Sequence, residues 1–96
     1  MRRAAKKDRN HNAICDHLTA LGYRVLDLSQ LGHGRPDALV IGVERRSGLR
    51  RAWLIEIKMP GEALTPAEQS FHGLWGDDVS IVDSIAAAEQ LVGIRS

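Results

Sequence analysis

Two charged residues stand inside the most apolar strand-like stretch of this chain, and that conflict restricts the fold more than any other feature. The stretch is Trp53-Leu54-Ile55-Glu56-Ile57-Lys58, closed by Met59-Pro60-Gly61. Its aromatic and β-branched content predicts a strand from about Arg50 to Lys58. Pro60 ends it, because proline cannot extend a central ladder. Side chains alternate between the faces of a strand, so Glu56 and Lys58 project with Leu54 from one face and Trp53, Ile55 and Ile57 from the other. A carboxylate and an ammonium flanked by Trp, Leu and Ile are costly unless they are partnered. Neighbouring elements must therefore bring something to them.

The rest of the chain supplies those elements with short connections. Asp8 or Asn10 can cap a first helix running to about Leu21, with Ile14, Leu18 and Leu21 as its apolar stripe. Gly22 stands where a C-terminal cap belongs. Tyr23 to Leu28 alternates as a strand, and a glycine-containing loop, Ser29 to Arg35, follows. A second strand runs from about Asp37 to Glu44, where Ala38-Leu39-Val40-Ile41 suggests burial on both faces. Arg45-Arg46-Ser47-Gly48 turns the chain into the Glu56 strand. Thr65-Pro66-Ala67-Glu68 is a capped helix start with a capping box, and that helix stops at Gly76. Val79 to Val82 reads as a short strand, and Asp83 or Ser84 caps a last helix through Ile85, Leu91 and Val92. The order is α-β-β-β-α-β-α, which predicts an α/β fold, a mixed sheet flanked by helices. At 96 residues the chain fits one domain, 8–96, behind a basic tail at 1–7.

Charge is unevenly divided. Residues 1–61 carry 12 Lys/Arg against 6 Asp/Glu, and residues 62–96 carry 1 against 6. A polyanion is drawn to the first part and repelled by the second. No apolar run approaches the roughly 20 residues of a membrane helix, so no membrane partner is expected. The basic N-terminus lacks the apolar segment of a secretory signal. A single cysteine, Cys15, cannot form an internal disulfide, and a cytoplasmic setting follows as the expectation.

The chemistry-bearing residues are Asp37, directly after Pro36, and Glu56 and Lys58, with Glu56 nineteen positions after Asp37. If the two strands pair as a hairpin, their open ends meet and Asp37 lies beside Glu56 and Lys58. Two adjacent carboxylates repel, and burial raises their pKa values. A divalent cation relieves both effects. Mg²⁺ prefers oxygen ligands and usually keeps several waters, and Asp37, Glu56 and the backbone carbonyl of Ile57 can offer three oxygens. Such an ion polarises a phosphoryl oxygen and activates water, and Lys58 is placed to orient that water or to stabilise the developing charge.

With these residues in view, the sequence resembles the PD-(D/E)XK nuclease superfamily, and within it the small VRR-NUC nucleases of phages and bacteria, which are Holliday-junction-resolvase-like. The similarity runs from about Asp8 to Leu91. It is carried by Asp8-Arg9-Asn10, by Leu31 to Val40 around Pro36-Asp37, by Leu54 to Pro60 around Glu56-Ile57-Lys58, by Leu64-Thr65-Pro66-Ala67-Glu68-Gln69, and by Val79 to Ser84. The resemblance implies a restriction-endonuclease-like core and a metal-dependent, structure-selective DNA endonuclease acting in a bacterial or phage-infected cell. Asp37 and Glu56 would be metal ligands for Mg²⁺ or Mn²⁺, Lys58 the catalytic lysine and Gln69 an auxiliary site residue. Many members carry a glutamate on the first helix. Here that helix has no glutamate, and Asp8 is the best substitute. By the same analogy the chain would act as a homodimer on branched or junction DNA.

Lys6, Lys7, Arg9, Arg35 and the 45–51 hairpin are the expected holders of the DNA backbone. His33, in the glycine loop, is open between a phosphate contact and a turn position. His11 and Cys15 lie four apart and could share zinc, but no second ligand pair stands out. Phe71 and Trp75 read as core or dimer contacts rather than base-stacking groups, and no serine has the neighbours of a hydrolase triad. Two rivals accompany the nuclease: a non-catalytic DNA-binding subunit of the same fold, and an interaction module in which Glu56 and Lys58 are only a buried pair.

Overall fold

A computed structural model describes residues 9–95. The elements are α1 (Arg9–Ala20), β1 (Arg24–Asp27), β2 (Ala38–Glu44), β3 (Leu49–Ile57), α2 (Pro66–Trp75), β4 (Val79–Val82) and α3 (Ile85–Leu91), with a single 3-10 turn, Gly76–Asp78, between α2 and β4. The strands form one four-stranded sheet in the order β1-β2-β3-β4. β1 and β2 are antiparallel, as are β2 and β3, whereas β3 and β4 are parallel. The parallel pair needs a crossover, and α2 provides it. The chain is thus an α/β fold with a mixed sheet flanked by helices.

One face of the sheet is the core. Ala38 and Val40 of β2, Trp53, Ile55 and Ile57 of β3 and Val82 of β4 pack against Ile14 and Leu18 of α1 and Ala88 and Val92 at α3. β2 is buried at Ala38, Val40, Gly42 and Glu44 but only half-buried at Leu39 and Ile41 and exposed at Val43, so it has one dry face rather than the two that its apolar run suggests. Gly42 is required there, because a Cβ would lie 2.3 Å from the Tyr23 ring. Asn10 on α1 fixes the far end of the sheet: its amide donates to the carbonyls of Lys58 (2.9 Å) and Asp83 (2.7 Å), tying the ends of β3 and β4 together.

The other face is covered differently. α2 follows the expected capping box, with Thr65 accepting from the Glu68 N–H and Glu68 accepting from the Thr65 N–H, yet none of its residues is buried. Phe71 and Trp75 do not join the core. They stack on each other with ring centroids 5.1 Å apart, and Trp75 and Leu74 remain exposed. No helix among the described residues is long and apolar enough to cross a membrane.

Candidate active site

The site lies at the open end of the β2–β3 hairpin. Asp37 continues β2 by one residue: its N–H donates to the Ile55 carbonyl (2.9 Å) and its carbonyl accepts from Leu28 (2.8 Å). Its carboxylate turns onto β3 and accepts the Ile57 N–H at 2.7 Å. The register that pairs Ala38 with Ile55 therefore delivers Asp37 beside Glu56, as the hairpin spacing predicts.

Glu56 and Lys58 are among the most buried polar residues, 2% and 5% exposed. Both project from the sheet face opposite the core, where α2 closes over them. The Lys58 ammonium donates to Glu68 at 2.6 Å and stands 3.8 Å from Glu62 and 4.0 Å from Glu56. His72, one turn along α2 from Glu68, places its Nε2 3.8 Å from Glu56 Oε1. Neither of those two atoms has a hydrogen-bond partner, although both are buried. Such orphans cost free energy, and they mark where a further ligand could be received.

The electrostatics follow from this crowding. Burial first, then hydrogen bonding to and repulsion by Asp37, then the charge of Glu68, push the Glu56 carboxyl up to about 9. Burial works against the charge on Lys58, but its hydrogen bond to Glu68 and the surrounding carboxylates hold its pKa above the usual lysine value. Burial also opposes ionisation of Glu68, yet the Lys58 and Thr65 hydrogen bonds keep that carboxyl below its usual value. The cluster thus holds one firmly ionised pair, Lys58–Glu68, beside a carboxyl that burial and repulsion keep protonated at neutral pH.

Among the described residues no group of three or more His, Cys, Asp or Glu side chains forms a ready metal cage. A two-carboxylate site is a different test. Mg²⁺ is commonly held by one or two carboxylates with water and substrate phosphate. Asp37 and Glu56 offer hard oxygen donors, and Glu56 Oε1 is buried without a partner, so the residues fit such an ion.

Gln69 does not join this cluster. The Gln69 amide bonds the Leu64 carbonyl at 3.1 Å on the exposed side of α2. His33 and Arg35 are exposed on the loop leading to Asp37. That loop is firmly seated, because a Cβ on Gly34 would lie 2.3 Å from the Ala67 carbonyl oxygen of α2. Lys6, Lys7, Asp8 and the Arg9 side chain fall outside the described residues. His11 is buried with its Nε2 3.4 Å from Asp27, and Cys15 packs against the core. In the sequence Glu68 reads only as a helix cap, and His72 belongs to no motif. Their spacing of four puts both on one helix face, which was the available signal. No protein-family model matches the chain, and no curated protein matches it.

Proposed function

We propose that this chain is a metal-dependent nuclease of restriction-endonuclease-like fold that hydrolyses DNA phosphodiester bonds, a structure-selective endonuclease of the VRR-NUC type. The observation that carries the reading is the meeting of Asp37, Glu56 and Lys58 at one hairpin end, with Glu56 buried, raised in pKa and short of a partner. The α-β-β-β-α-β-α order and the mixed sheet support it, as does the excess of Lys/Arg in residues 1–61.

A divalent cation, Mg²⁺ or Mn²⁺, would supply charge neutralisation and Lewis acidity at the scissile phosphate when bound. Asp37 and Glu56 would hold it, with the Ile57 carbonyl as a third oxygen. In hydrolysis a water oxygen bonds to phosphorus as the bond to one ester oxygen breaks. The water gives up a proton to solvent and the leaving oxygen takes one from solvent, so the products are a phosphate monoester and an alcohol. Lys58, kept protonated by Glu68, donates to a non-bridging phosphate oxygen and stabilises the charge that builds there. Glu68 acts as a positioning residue, since it touches Lys58 rather than the reacting atoms. His33 and Arg35, exposed ahead of Asp37, can meet the flanking phosphates.

One observation favours a second reading. The 2.6 Å Lys58–Glu68 pair sits within a capping box, so the charges could serve only to dock α2 on the sheet of an interaction module. A cleavage panel separates the two. The nuclease cuts branched or linear DNA with Mg²⁺ and stops with chelator. The interaction module cuts nothing and shows no salt-dependent DNA affinity. A non-catalytic DNA-binding subunit binds with salt dependence but does not cut.

A further inference from the structure

β1 begins at Arg24 while β2 continues past it to Glu44, so the sheet edge has a notch where β1 is missing. A cavity of about 360 Å³ fills this notch. Its lining includes three arginines, Arg24, Arg45 and Arg50, and no carboxylate. The wall is stiff: the Tyr23 ring lies against the Gly42 backbone, and its hydroxyl donates to the Val43 carbonyl. Arg45 is held ready, its guanidinium 5.4 Å above the Tyr23 ring and bonded to the Leu21 carbonyl at 2.9 Å. Arg24 and Arg50 are exposed and make no ion pair among the described residues.

Strand parity fixes the direction in which these arginines face. Arg24 pairs with Ile41 and Arg50 with Val43, which places both on the side of the sheet that carries Glu56 and Lys58. Glu56 lies six positions after Arg50 along β3, about 20 Å at a strand's rise of ~3.3 Å. The side chains between them on this face, Leu39, Ile41, Ala52 and Leu54, include no acid to repel a phosphate. A DNA strand carries one phosphate per ~3.4 Å of axis, so a duplex engaged at both places would span about six base pairs.

We infer that this arginine notch is a phosphate site that grips the backbone of the same DNA about six base pairs from the bond being cut. Guanidinium groups bind phosphate oxygens bidentately, and the exposed Arg24 and Arg50 on one side of the cavity, with Arg45 at its wall, provide an anchor independent of base sequence. The inference rests on the nuclease reading for the identity of the DNA, but not for the existence of the site.

The test measures the affinity of the full chain for a fluorescein-labelled duplex against salt, in chelator, for the wild type and for Arg24→Gln/Arg50→Gln. The variant should show a log-log salt slope shallower by about 1.8, ~0.9 for each of two lost phosphate contacts, with an unchanged thermal midpoint. Inorganic phosphate should compete with DNA for the wild type more than for the variant. An unchanged slope overturns the proposal. So does phosphate that binds at the notch without competing with DNA, because the notch would then serve a free phosphate. A shifted slope in a protein that never cuts with Mg²⁺ supports the notch and removes the nuclease reading alone.

Discussion

At Glu56 the protein buries a carboxyl whose charged form is costly there. Its pKa is about 9 in the folded protein and near 4.5 when free. Between those values the folded chain binds a proton that the unfolded chain has released, so stability must fall as pH rises through that window. In chelator, the urea midpoint of the wild type should decline from pH 5 to pH 9, and Glu56→Gln should flatten the decline. A flat wild-type profile would mean that Glu56 reaches water after all. Added Mg²⁺ must displace that proton, so its stabilising effect should grow toward alkaline pH. Lys58 has the opposite dependence on its partner. Removing the Glu68 charge leaves an ammonium buried without its nearest counter-charge, and Glu68→Gln should cost roughly 3–5 kcal/mol by analogy with other broken buried pairs. Thr65→Ala removes the cap but spares that pair, and should cost only about 1 kcal/mol. Equal losses in urea denaturation would show that Glu68 is a helix cap and nothing more.

Elements carry this site because of how they are joined, and here sequence and structure inform each other. The alternation in 53–58, the four-residue turn at 45–48 and the Thr65 capping box are local patterns, so the element order, the hairpin and the approach of Asp37 to Glu56 were legible. What was not legible depends on how α2 lies across the sheet. Glu68 reaches Lys58, and His72 approaches Glu56, only because the helix crosses that face, and an exposed helix with no buried residue leaves no apolar stripe from which to read its docking. Of the expected core or dimer role of Phe71 and Trp75, the core part is not met, because the two rings stack on each other outside the core. The Gly34 contact was hidden for the same reason. Gly34 has φ 76° and touches the first turn of α2, so its loop and the helix are one unit. Gly34→Ala should push the two apart, lowering the thermal midpoint and displacing Asp37. Cleavage should then fall even at temperatures where the variant is fully folded by circular dichroism, whereas unimpaired cleavage would detach the loop from the site.

On the scale of the whole molecule the polar cluster and the arginine notch share one sheet face, while the opposite face is spent on the core. Under the proposed nuclease reading, a second copy of the chain would supply a second such surface. The exposed Leu74, 87% accessible, and Trp75 beside it give an apolar patch on α2 suited to such pairing. Sedimentation should report a dimer that Leu74→Glu weakens, and a monomer at all concentrations would limit each molecule to a single cut. Nuclease activity would require the carboxyl at the hairpin end to take part in the chemistry. The most direct measurement is single-turnover cleavage of DNA in Mg²⁺ by wild type and Glu56→Gln, with DNA affinity measured in parallel. Cleavage by the wild type, its loss by at least about a hundredfold in the variant and an unchanged affinity are the predicted result. Equal rates in the two proteins, or no cleavage by either, would contradict the account.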